Sequence, residues 1–464
     1  MATTKTRART GATGKVRKRD TGEAGNRGEF GTVARADVDV SIPLAEGSTG
    51  ARVGGNVEID PSARIAESAV IGDDVTVGAD VTIGPNVTIG DGVEVGHGST
   101  IGADAAVGDG ARLVEAVTVG EGAVLGQDSI VQPRAVIGDG AILGEEVSIG
   151  TESRIGRDVQ VETGTRIGKQ VIMDEDATVG VSSELDDRSV IRHSARLGDQ
   201  VTLGKSAEIQ AEAVIGDGSS VGSRSRLQGR FGDELEVGRR VRLIGGATWG
   251  ESVEVGDGVK VQVDERSRFA DDTNLGERAM ITGAIVTGEL SMGEGAVIKG
   301  GKLPVTLDGE VAVGADAQLV GAVHICDEVE VGESAQIEGP RGGLSDEVAT
   351  ELDAGCEILD RARLHPGARL GAQTVVGSSA EVGTQVVTGA STDIGDHASV
   401  GDFSQINGSM ICDQARVGHG VETGHAADVG ERSVIEDNAV VEDYARVEDE
   451  GYVPRGEVVR ETAI

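Results

Sequence analysis

Aromatic side chains are nearly missing: the 464 residues contain four Phe, two Tyr and one Trp. A core with so few rings is a narrow one, closed by aliphatic side chains. Cysteine is equally scarce. Cys326, Cys356 and Cys412 are an odd number with no CxxC spacing, which fits neither a disulfide framework nor a zinc site. No signal-peptide apolar stretch and no apolar run long enough to span a bilayer occurs. The cytoplasm is therefore the default compartment, with non-classical export left open. After residue 30 the only lysines are Lys169, Lys205, Lys260, Lys299 and Lys302. Glycine is abundant, at 73 residues, but follows no Gly-X-Y triplet, which excludes collagen.

What is plentiful is acid. The formal net charge is −37, and it is unevenly spread. Residues 1–30 hold eight basic side chains against Asp20, Glu23 and Glu29, a balance of +5 that leaves −42 for the rest. An acidic body repels phosphate backbones, so nucleic-acid binding by it is not expected. An acidic, lysine-poor surface points to a salt-accumulating, halophilic host. The competing explanation is that the turns of this chain favour Asp and Glu in any host.

The dominant pattern has period six. From Ile59 to Leu227 an aliphatic residue, or once Met173, recurs at every sixth position, 29 times in succession. Two residues before each sits a small or β-branched partner, as in Val75, Val81, Ser99 and Ala105. In a strand these two side chains share one side, so both face inward. The residue between them faces outward, as with Thr76, Thr82 and Glu94. Gly and two polar residues follow, a composition that tolerates positive φ and turns a corner. Each hexad is thus a short strand plus a turn, and stacked hexads bury one continuous core.

Units such as "VTIGPN", "VTIGDG", "AVIGDG" and "VSIGTE" resemble the hexapeptide-repeat, or left-handed parallel β-helix, superfamily. The resemblance implies three hexads per coil, a triangular prism and left-handed winding. It predicts an all-β left-handed parallel β-helix solenoid of about 20 coils with a disordered N-terminal arm. At strand spacing the uninterrupted segment would measure roughly 45 Å and the whole repeat region roughly 100 Å.

Along the chain, residues 1–50 read as a basic flexible arm with a possible N-terminal cap in "VARADVDVSIPLAEGSTG". Residues 51–228 are uninterrupted repeat. Residues 229–338 continue it with loop interruptions, among them a coil whose inward position is Trp249. A ring would crowd the prism, so the expectation there is a bulged corner or an outward Trp. Residues 339–357 read as an inserted loop or a short helix capped by Ser345. Residues 358–453 resume the hexad, and 454–464 form an off-pattern tail.

Many members of the superfamily are acyltransferases, and the resemblance implies a His general base with acyl-CoA or acyl-carrier protein bound between prisms of a trimer. His97 ("VGHGST") and His419 ("VGHGVE") occupy matching corner positions and are the candidates. Each also reads as an ordinary solvated corner residue. His425 lies six after His419, on the next corner, so the two point in different directions and do not make a metal pair. No metal ligand set is assigned. A different clue lies in the outward position, which is aliphatic at four successive hexads: Val124, Ile130, Val136 and Ile142. Exposed aliphatic clusters mark interfaces, although a flat strand also favours β-branched residues. The belt and the excess of coils over what one active site needs predict a non-enzymatic scaffold, filament subunit or spike without cofactor. It would be homo-oligomeric or polymeric, with the basic arm contacting an anionic surface or partner. The alternative is an acyl-CoA-dependent hexapeptide acyltransferase.

Overall fold

The computed structural model describes residues 14–17, 30–33, 51–244, 248–262, 273–286, 289–300, 305–340 and 349–460. It is an all-β parallel β-solenoid with about 21 turns in all, in two compact units, residues 1–235 and 236–464.

In the first unit every turn contributes three two-residue strands, one per face. The first face runs from Arg52–Val53 to Val214–Ile215 in ten rungs. The second runs from Glu58–Ile59 to Ser220–Val221 and the third from Arg64–Ile65 to Arg226–Leu227. From Arg52 to Leu227 the partners are parallel and 18 residues apart, as in Glu94↔Arg112 and Thr100↔Thr118. That offset is three hexads, so the period read from the sequence becomes the register of the sheet.

The inward pairs are sealed. Val87 and Ile89 are 0 % exposed, and Val93, Val107 and Leu125 match them. Several of the Ser and Thr that take the smaller position bond the backbone through the hydroxyl. Ser153 donates to Gly168 O at 2.8 Å and accepts from Val171 N at 3.1 Å. Ser129, Ser189 and Ser433 find no partner for Oγ.

Corners explain the composition. The glycine after each inward aliphatic is required by the next turn: a Cβ on Gly102 would lie 2.7 Å from Gly120 C and 2.8 Å from Glu121 N. The third corner residue is left-handed, as at Asp74 (φ 56°) and Gly92 (φ 68°), which suits Asp, Asn and Gly. The second is often Asp, because its carboxylate accepts a backbone N–H from the turn before. Asp73 N donates to Asp91 Oδ1 at 2.7 Å, and Asp91 N donates to Asp109 Oδ1 at 2.8 Å. Some of the acid that suggested a halophile therefore works as a corner ladder.

The second unit repeats the plan with interruptions. Its rows run from Glu236–Val237 to Arg446–Val447, from Arg242–Ile244 to Tyr452–Val453, and from Ala284–Val286 to Val458–Val459. Pairing continues across the interruptions with longer offsets. The offset becomes 20 residues at Glu254↔Asn274 and 27 at His324↔Glu351.

Three expectations are corrected. Trp249 is not turned outward: it faces inward and is only 3 % exposed. The alternative of a bulged corner falls beside residues 245–247, which lie outside the described residues; Thr248, before the Trp, forms a single bridge in place of a two-residue strand. The excursion over 339–357 is shorter than expected, because Thr350–Leu352 rejoins the ladder opposite Val323–Ile325 and Glu357 pairs with Glu330. Leu352 lies one hexad before Ile358, a phase the loop-like composition masked. Ser345 and its capping role lie outside the described residues. The tail is not off-pattern up to residue 460, since Val458–Val459 pairs with Val440–Val441. The described part of the N-terminal arm is one short strand pair, Gly14–Arg17 antiparallel with Phe30–Val33; the other residues of the arm lie outside the described residues. The proposed cap in residues 34–50 lies outside the described residues.

Candidate functional site

The histidines sit where the spacing put them, on corners or outward strand positions. His97 follows Gly96 on the corner between the second and third faces. Its Nδ1 lies 3.0 Å from Ala79 O, one turn earlier. Asp80 Oδ2 is 3.9 Å away, and the side chain is 58 % exposed. His419, in the second unit, takes the matching corner position. Its Nδ1 accepts from Asp402 N at 3.0 Å, and Asp402 Oδ2 lies 3.5 Å away. Both rings spend Nδ1 on the turn before, with opposite roles: His97 Nδ1–H donates to the Ala79 carbonyl, which leaves Nε2 unprotonated in the neutral ring, whereas His419 Nδ1 accepts a backbone N–H as an Asp carboxylate does elsewhere, so its neutral ring carries the proton on Nε2.

His425 is on a different corner, where its ring meets Tyr444 edge-on with centroids 6.0 Å apart. The expected separation of His419 and His425 onto distinct corners holds. Two further histidines pair with carboxylates: His324 Nε2 with Asp308 Oδ2 at 2.9 Å and His365 Nε2 with Glu381 Oε1 at 2.7 Å. Among the described residues no group of three or more His, Cys, Asp or Glu is placed to hold a metal ion. No helix among them is long and apolar enough to cross a membrane.

The cysteines are held as thiols. Burial is the main cause, raising Cys356 to about 11, with its Sγ donating to Gly371 O at 3.3 Å. Burial and then the nearby Asp428 carboxylate raise Cys412 to about 11. Alkylation of native Cys412 by iodoacetamide at pH 8 is expected to be ~100-fold slower than that of a free thiol and to climb steadily towards pH 11. An ordinary thiol rate at pH 8 would contradict the placement of Cys412 beside Asp428.

The aliphatic belt is where the phase predicted. Val124 and Ile142 are adjacent rungs of the first face, Ile130 is on the second and Val136 on the third. Val136 is 39 % exposed; the other three are half-buried. Sequence reasoning missed how far the first face extends this character. Its outward row, Val70, Thr88, Ala106, Val124, Ile142, Gln160 and Thr178, carries no charge over seven consecutive rungs. The signal was present as every eighteenth residue and was lost in a reading by sixes.

Residues 50–85 and 80–115 match the family model described as bacterial transferase hexapeptide (six repeats). The hexapeptide-repeat resemblance is thus shown for that stretch, which contains His97. Over 150 residues the chain is 32% identical to the bifunctional protein GlmU of Streptomyces griseus subsp. griseus, covering 31% of this chain and 29% of that one. The chain therefore matches less than a third of that relative's length.

Solved structures with a similar coil include LpxA, a UDP-N-acetylglucosamine acyltransferase from Bacteroides fragilis. It is 20% identical, with 40% of this chain and 70% of that one covered, at a TM-score of 0.23. Another is the Arabidopsis UDP-N-acetylglucosamine acyltransferase, 12% identical, with 74% and 70% covered, at a TM-score of 0.10. Scores of this size establish no residue equivalences.

Proposed function

We propose that the chain is an assembly protein whose solenoid associates laterally with other copies through outward aliphatic side chains. The observation that carries this reading is the placement of Ile130 and Val136 on successive faces, outside the core, in the most regular part of the repeat. Apolar side chains on a strongly acidic body gain by being covered. Like-charge repulsion between copies opposes that gain and is screened by salt, so association is expected to strengthen with ionic strength.

The test is Ile130→Lys with Val136→Lys, read by sedimentation velocity in molar salt. Arg and Lys occupy other outward positions, such as Arg112 and Arg154, so the fold tolerates them. The double variant is expected to shift the distribution to monomer, weakening association at least tenfold. An unchanged distribution removes the belt from the interface.

A second reading is favoured by one observation: His97 lies inside the segment that matches the transferase hexapeptide model. In that case the chain would be an acyltransferase using acyl-CoA, with His97, through Nε2, or His419 as general base to an acceptor hydroxyl or amine. Acyl-CoA binding that is undisturbed by His97→Ala and His419→Ala, or absent altogether, would dismiss it.

A further inference from the structure

Exposed rings are gathered in one part of the second unit. Phe231 and Trp249 are sealed at 4 % and 3 % exposure, whereas Phe403, Tyr444 and Tyr452 are 61 %, 62 % and 61 % exposed. Phe403 and Tyr444 also stand where a large apolar side chain is least expected. Both are third corner residues with left-handed backbone, at φ 60° and 59°. Elsewhere among the described residues that position holds Gly, Ala, His or a polar or charged residue. The conformation disfavours bulk, and water disfavours an uncovered ring. Neither ring fills the core, so what offsets both costs lies outside the fold. The rings are nonetheless braced. His425 meets Tyr444 edge-on at 6.0 Å, and Tyr452 donates to Glu436 Oε1 at 2.7 Å.

Phe403 and Tyr444 bracket one stretch of the row that ends at Val458–Val459. Phe403 leads into the rung Gln405–Ile406. Gly408, Ala426 and Tyr444 succeed one another on the opposite corner, a turn apart. The outward positions between the two rings are Gln405, Glu422 and Val440. From Phe403 to Gly408 is at most ~17 Å of chain, and Tyr444 stands two turns further on, about 9.6 Å. Six extended residues, about 20 Å long, span that diagonal. Glu422 lies at its centre and is exposed. Among the described residues its carboxylate has no ion pair and no hydrogen bond. The surroundings add negative charge: residues 401–460 hold 13 acidic side chains, five arginines and no lysine. Four of those arginines already pair with carboxylates of neighbouring turns.

We propose that this surface docks an extended, arginine-bearing segment of another protein. One guanidinium pairs with Glu422, and the flanking residues of the segment cover Phe403 and Tyr444. Arginine is the cation that fits. Its planar group takes a carboxylate through two parallel hydrogen bonds and also stacks on aromatic faces, which a lysine ammonium does not do. Exposed rings attract a cation over their faces, and aromatic anchors carry much of the energy of protein interfaces. A second copy of this chain fits less well, because its acidic body would meet these acids. The surface shares no residue with the association proposed above, so either can fail without the other.

The test is titration calorimetry of the full-length protein at physiological salt, with an acetylated hexapeptide of alternating leucine and arginine as the probe. Phe403→Asn with Tyr444→Asn is expected to weaken binding about tenfold, and Glu422→Gln about fivefold. Asn already holds the matching corner position at Asn438 (φ 56°), so the double variant is expected to keep the parent's melting temperature. The hexapeptide with lysine in place of arginine is expected to bind about threefold more weakly. Absence of binding, or equal binding of the two peptides, would overturn the proposal. So would an equal loss from Glu330→Gln, an outward carboxylate of a different row, since only diffuse charge would then be at work. A lower melting temperature in the double variant would make the rings structural. Lost self-association with peptide binding intact would assign them to a second copy. Either result would also overturn it.

Discussion

Replacing Ile89 by Asp is expected to lower unfolding free energy by about 4 kcal/mol or more. Ile89 is 0 % exposed and stands on the first face between Ile71 and Val107. The backbone around it is already paired: Gly90 N donates to Val107 O, and Gly72 N to Ile89 O. A carboxylate there would find no donor left. Each turn of a solenoid is supported only by its neighbours, so the damage should be local. Thermal denaturation followed by circular dichroism is expected to split, with the first turns melting well below the remainder. The control is Thr82→Asp, at an exposed outward position, expected to change stability by less than about 0.5 kcal/mol. Equal losses at the two sites would mean that inward and outward have been assigned the wrong way round.

Two glycines four residues apart give the second large contrast. Gly102→Ala forces a Cβ to within 3 Å of the Gly120 and Glu121 backbone. Neither side can yield without opening the ladder, so a loss of about 3 kcal/mol is expected. Gly98 is left-handed at φ +68°, and a Cβ there meets nothing within 4 Å. Gly98→Ala should cost only about 1 kcal/mol, the strain of that conformation for an L-residue. Urea midpoints of the two variants decide the matter. If Gly98→Ala were the more damaging, backbone conformation rather than inter-turn spacing would be what the corner glycines serve.

Much of this was legible in the sequence because the fold is periodic. Ile71, Ile89 and Val107 announce the inward column by their spacing alone, and Thr82, Thr100 and Thr118 stack at the register that 18 residues imply. What escaped the reading was aperiodic or needed a longer period. Trp249 looked too large for its position because bulk was judged against a regular turn, and the turn there is not regular. Leu352 was hidden by loop-like neighbours although it kept phase with Ile358. Asp91 and Asp109 read as surface charge, whereas each carboxylate holds the corner of the turn before it. The candidate site was legible only as placement. The sequence located His97 and His419 on corners, but not that each ring spends Nδ1 on the turn before it.

The 27-residue offset at His324↔Glu351, against 18 at Glu94↔Arg112, has a consequence for how such a chain can change over time. The rungs pair across an addition between them as they do without it, so such an addition alters decoration without altering reach. Additions of a complete turn do the reverse, lengthening the body by about 4.8 Å while leaving every lateral row in step. Length and ornament are therefore separate variables, open to independent tailoring.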